Sequence, residues 1–106
     1  MNSREHFADL LDETAEIFGP LLADPTASMW YGVLKIMAAL IKAQQAPLST
    51  AQLGVIRREL FGGMTSFQDL EFDERRTPGL PKDTNKRLSA AVSKLYESFN
   101  ALDTRA

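Results

Sequence analysis

The sequence predicts an all-α fold, a single domain spanning residues 1–106 with about four helices in a small bundle-like arrangement. Three observations lead there. Apolar residues recur at helical spacing in four separate runs, and each run is bounded by capping residues, proline or glycine. The longest strand-like alternation, Leu70-Glu71-Phe72-Asp73, is too short to build a sheet. A chain of 106 residues buries roughly 65% of its unfolded surface, so it can hold one core without disulfides or metals.

The first run, Ser3 to Phe18, spaces Phe7, Leu10, Leu11, Thr14, Ala15 and Phe18 along one helical face, with Asn2 and Glu5 in capping-box register and Gly19-Pro20 as its stop. Opposite that face, Glu5, Asp9, Asp12, Glu13 and Glu16 fall within an arc of roughly 100°. Residues 1–24 carry one arginine against six acids, so these like charges need compensation from outside their own helix. Lysine or arginine of another helix, such as Lys86, Arg87 or Lys94, is one source of it. A basic partner protein is the other.

The second run starts at Asp24-Pro25, a capping residue followed by proline at the first helical position, and stops at Ala46-Pro47. Its apolar residues, from Met29 and Trp30 to Leu40 and Ile41, cover an arc of roughly 160°, wider than a surface helix needs. That width marks it as the expected central helix, with Trp30 in the core and Tyr31 on the opposite, exposed side. The third run, Ser49 to Leu60, opens with the capping box Ser49-x-x-Gln52 and carries the narrow stripe Leu53, Ile56 and Leu60. Gly62-Gly63 should end it, since glycine takes the positive φ of a helix cap without a Cβ clash. The fourth run, Asp83 to about Leu102, lines up Leu88, Val92, Leu95, Phe99 and Leu102, with Asn85 and Tyr96 at the margin.

Between the third and fourth runs lies an expected ordered loop, in which Met64, Phe67, Leu70 and Phe72 carry apolar surface while Ser66 and Asp69 can hydrogen-bond nearby backbone. The stretch Phe61-Gly-Gly-Met-Thr-Ser-Phe-Gln-Asp-Leu70, with Trp30 upstream and Asn85-Lys-Arg-Leu88 downstream, resembles an uncharacterised family of small bacterial helical proteins. The family's motif reads Gly-Gly-Met-Gly-Ser-Phe/Leu-Asn-Asp-Leu. Thr65 and Gln68 depart from it, so a role that needs bare backbone at Thr65 does not carry over. The resemblance spans roughly residues 28 to 102 and brings no known activity.

Much chemistry is excluded at once. The chain has no cysteine, and His6 is its only histidine, which removes thiolate and histidine-rich metal centres. No Gly-x-Ser-x-Gly elbow and no Gly-Lys-Ser/Thr phosphate loop is present. The acidic spacing Asp69, Glu71, Asp73 fails as a calcium loop, with Glu74 where the turn glycine belongs and Leu80 where the final glutamate belongs. No metal and no cofactor is expected. The basic residues Arg57, Arg58, Arg75, Arg76, Lys82, Lys86 and Arg87 have no interleaved aromatics and an acidic segment between them, which argues against nucleic acid. The longest aliphatic run, Ile36 to Ile41, falls far short of the roughly 20 residues that span a bilayer. With no apolar leader at the N-terminus, the expected setting is cytoplasmic.

The functional expectation is therefore a protein-binding module without enzymatic activity, an immunity- or antitoxin-type inhibitor that takes a basic partner such as a toxin. Its contacts would come from Glu5, Asp9, Asp12, Glu13, Glu16 and Tyr31. Two alternatives stand beside it. One is a small-ligand or enzymatic site at Gly62, Gly63, Met64, Ser66, Asp69 and Asn85, walled by Trp30. The other is a purely structural, homodimeric domain.

Overall fold

The computed structural model describes residues 3–62, 71–73, 75, 77 and 79–103. These form four helices and no strand: α1 (Ser3–Ile17), α2 (Pro25–Ala43), α3 (Thr50–Ile56) and α4 (Thr84–Asp103). A 3-10 turn, Gly19–Leu21, joins α1 to α2, and α3 runs on into a π-helical turn, Arg57–Phe61. The all-α expectation is met: α1, α2 and α4 begin and end within about two residues of their predicted bounds, and the third run, expected to reach Leu60, is α-helical to Ile56 and π-helical beyond.

Sequence chemistry accounts for the ends. Asp24 Oδ1 accepts hydrogen bonds from the backbone N–H of Thr26 (2.8 Å) and Ala27 (3.2 Å), which satisfies two of the free donors at the start of α2. At α3 the capping box closes in both directions: Gln52 N–H donates to Ser49 Oγ (3.1 Å) and Ser49 N–H to Gln52 Oε1 (2.8 Å). The π turn widens the last turn of the third helix, so that Leu60 and Phe61, adjacent in sequence, are both buried. Gly62 then continues with φ −119°, extended backbone rather than the left-handed cap expected of it. A Cβ there would lie 3.4 Å from Arg57 O and Arg58 Cα, in van der Waals contact, and Gly63, the other glycine of the doublet, lies outside the described residues.

The helix at the centre is α1, not α2. Its backbone approaches α2 on one side and α4 on the other more closely than any other helices meet. Ala8 and Ala15 are small enough to allow this, while Phe7, Leu11 and Phe18 fill the space between; all five are fully buried. Thr14 is buried as well, its hydroxyl donating to Leu10 O (2.7 Å) so that no polar group is stranded. The wide apolar arc of α2 led to the opposite expectation, and its true origin is described below.

Aromatic side chains close one end of the core. The Phe99 ring lies 6.0 Å from Phe7 and 5.5 Å from Phe61, and Phe61 meets Tyr96 edge-on at 5.2 Å. Met64, Phe67 and Leu70 of the connection lie outside the described residues, but its later part, from Phe72 to Thr77, is tied down at two points. Phe72 is buried edge-on against Phe18 at 5.8 Å. Asn85 holds the Phe72 backbone at both ends, accepting its N–H and donating to its C=O, each at 2.8 Å. Thr77, also buried, donates its hydroxyl to Asp24 Oδ2 (2.9 Å), linking the connection to the start of α2.

Candidate functional site

The acidic strip of α1 is compensated from within the molecule. Lys35 and Lys42, two turns apart on α2, both face it. Lys42 Nζ meets Asp12 Oδ2 at 2.6 Å and Asp9 Oδ1 at 3.2 Å; Lys35 Nζ meets Glu16 Oε1 at 3.2 Å and Asp12 Oδ1 at 3.6 Å. Lysines do face the strip, but they belong to α2 rather than being Lys86, Arg87 or Lys94 of α4. Glu5 and Glu13 are exposed. Tyr31 is also placed differently from expectation: it is half-buried against the core, with Lys35 Nζ 5.9 Å from its ring centroid, and does not stand free as an aromatic contact.

The electrostatics of this seam have a signature in pH. The hydrogen bond from Lys42 holds the Asp12 carboxyl below its ordinary 3.8, while Glu16 and Asp12 hold Lys35 and Lys42 above their ordinary 10.5. Asp24 is lowered too, first by the Thr77 hydroxyl and then by its capping bonds. A lowered carboxyl stabilises the fold above its unfolded value, and that contribution disappears as pH falls through the folded one. A raised lysine stabilises below its unfolded value, and that contribution disappears as pH rises through the folded one. Tm should therefore be flat from about pH 5 to 9 and decline at both ends. Replacing Asp12 and Asp24 together by Asn should lower the plateau and flatten the acid decline, as scanning calorimetry across pH would show.

The glycine motif yields little chemistry. Gly63, Met64, Ser66 and Asp69 lie outside the described residues. Of the rest, Asn85 is committed at both ends of its amide to Phe72, and Trp30 is buried in the core. Asn85 lines a polar cleft with Asp24, Asp73, Thr77 and Lys82, yet Asp24 and Thr77 spend their polar atoms on each other and on the α2 cap. Among the described residues, no three acidic or histidine side chains come together as a metal site, and no helix is long and apolar enough to cross a membrane.

The feature that stands out was missed in the sequence reading. Along α2, Ala27, Trp30, Leu34, Ala38 and Ile41 are buried, whereas Met29, Ile36 and Leu40 are 54%, 63% and 66% exposed. At 100° per residue, the stripe Met29, Val33, Ile36, Leu40 is centred about 130° from the buried one. The wide apolar arc is thus two stripes, one packed on α1 and one open. Beside the open stripe runs a groove of about 450 Å³ between α2 and α3, floored by Met37, Ile41 and Ile56 and flanked by Leu48 and Val55. Gln44 and Gln52 cross one end of it, each amide bonded to the other. The spacing 29, 33, 36, 40 alternates by four, three and four, as in a helix-pairing seam, and that was the available signal.

No protein-family model, no curated protein and no solved structure matches this chain.

Proposed function

We propose that the chain is a protein-binding module whose recognition surface is the open apolar stripe of α2 together with the groove between α2 and α3. The observation that carries this reading is the exposure of Met29, Ile36 and Leu40 on a helix whose other face is fully packed. Large apolar side chains scattered singly on a surface need no explanation, but three on one stripe beside an apolar groove form a continuous patch of the kind that marks an interaction site. Helix-in-groove binding is the mode this shape suits, with anchors read at i, i+4 and i+7.

An inhibitor that meets a basic toxin through the α1 strip has lost its main motive, because Asp9, Asp12 and Glu16 already answer Lys35 and Lys42. A small-ligand site has no support among the described residues, where the polar groups of the Asn85 cleft serve the fold. A cytoplasmic setting belongs to the same proposal, since a cysteine-free chain is at home in a reducing compartment.

The test is site-specific photo-crosslinking in cells that express the full chain, with a benzoylphenylalanine at Leu40 and, as control, at exposed Lys94 of α4. A discrete protein adduct from position 40, absent from position 94 and lost when Ile36→Glu is added, is expected. Equal or absent adducts from both positions would refute the reading.

A further inference from the structure

We propose that the occupant of this face is a second copy of the same chain, packed α2 on α2 across a two-fold axis so that each copy's open stripe lies beside the other's groove. The proposal rests on the reading above and goes on to name the partner.

Three features favour self-pairing over a different protein. The first is pattern. The open stripe repeats as Met29, half-buried Val33, Ile36 and Leu40, about two heptads long, and such a seam is complementary to itself. Flanking it on the side away from α3 are Ser28, Gly32, Ala39 and Ala43, and a Cβ built on Gly32 would meet nothing within 4 Å. Small side chains along the seam leave room for a second helix axis at the close end of the usual 8–10 Å range.

The second is charge. Among the described residues Glu59 is the only charged one lining the groove, and Lys35 and Lys42 of α2 are turned towards α1. Recognition of a different protein commonly relies on charged rims for steering and for rejecting wrong partners. This face offers almost none, whereas a two-fold interface, which places identical surfaces against each other, requires that like charges be few.

The third is size. A 19-residue helix is about 28 Å long, and with α3 alongside it the face is about 20 Å across, giving on the order of 500 Å² in plan. The area accessible to solvent is larger, because the side chains stand out of that plane. Roughly 600 Å² per partner is the lower bound of specific interfaces, so a weak, reversible dimer is the outcome this area supports.

Sedimentation velocity of the purified full chain over a concentration series decides the matter. The expected result is a monomer–dimer equilibrium with no larger species. Ile36→Glu with Leu40→Glu should weaken it at least about 100-fold, about tenfold for each charge forced into the seam. Both residues are mostly exposed in the monomer, so far-UV CD and Tm should stay close to wild type at low concentration. The pair Ile36→Ala and Leu40→Ala, which favours helix, should weaken the dimer by a smaller factor and guards against misfolding as the cause. A wild-type chain that stays monomeric, a dimer that neither pair weakens, or open-ended assembly overturns the proposal. The crosslink separates the two readings: a different protein joined to position 40 of a monomeric chain ends the dimer and leaves the binding module standing, and no adduct at all ends both.

Discussion

Phe99→Ala should lower the stability of the fold by about 3–5 kcal/mol, measured by urea unfolding followed by CD. The residue is fully buried in α4, and its ring is shared by α1 through Phe7 and by the π turn through Phe61, with the Arg57 guanidinium 5.1 Å from its centroid. Truncation removes the transfer energy of the ring and leaves a cavity bordered by three elements that cannot collapse together. Domains of this size are stable by only about 5–15 kcal/mol, so the variant should be marginal at 37 °C. Phe99→Leu keeps most of the volume and should cost less than half as much. Equal losses for the two would mean that filled space contributes little and that the ring's own contacts carry the effect.

Asn85→Ala is expected to cost about 2–3 kcal/mol, a large effect for a side chain whose two hydrogen bonds both go to Phe72. The amide satisfies both the N–H and the C=O of Phe72, next to a ring buried against Phe18. Without it, two backbone groups beside the core lose their partners, each costing about 1–3 kcal/mol where water cannot reach and less where it can. Asn85→Asp is the sharper probe. Its carboxylate can accept the Phe72 N–H but cannot donate to the C=O until it is protonated, so this variant should regain stability relative to wild type as pH falls. Parallel pH profiles for the two would show that the second bond is not made in solution.

Most of the fold was legible in the sequence because it is written in local chemistry. Asp24-Pro25, the Ser49–Gln52 box and the Leu88-to-Leu102 stripe each act within a turn or two, and the structure uses each as read. Of the four apolar residues that pointed to a packed connection, Phe72 is buried as expected, and Met64, Phe67 and Leu70 lie outside the described residues. What local pattern could not decide was which helix lies between the others. Apolar content favoured α2, but α1 has Ala8 and Ala15 on its flanks, and small residues let two helices approach where large ones do not. The same ambiguity hid the candidate site. A 160° arc is compatible with a helix packed on two sides and with one packed on a single side, and only the position of the neighbours tells them apart. The acidic strip is met by lysines of another helix, as one of its readings had it, but on α2 rather than α4, because no rule of spacing along α1 finds Lys35 and Lys42. Of the glycine doublet read as a left-handed cap, Gly62 follows the π turn in extended backbone and Gly63 lies outside the described residues.

Everything proposed about function depends on the outer stripe of α2 standing in water in the isolated chain. Methyl NMR with a soluble paramagnetic agent reads that at single residues, at a concentration low enough to keep the chain monomeric. The methyl signals of Ile36, Leu40 and Val55 should broaden strongly, and those of Leu11 and Leu34, fully buried, should be untouched. If Ile36 and Leu40 prove as protected as Leu34 in the monomer, the chain covers this face itself, and both the binding module and the dimer lose their foundation.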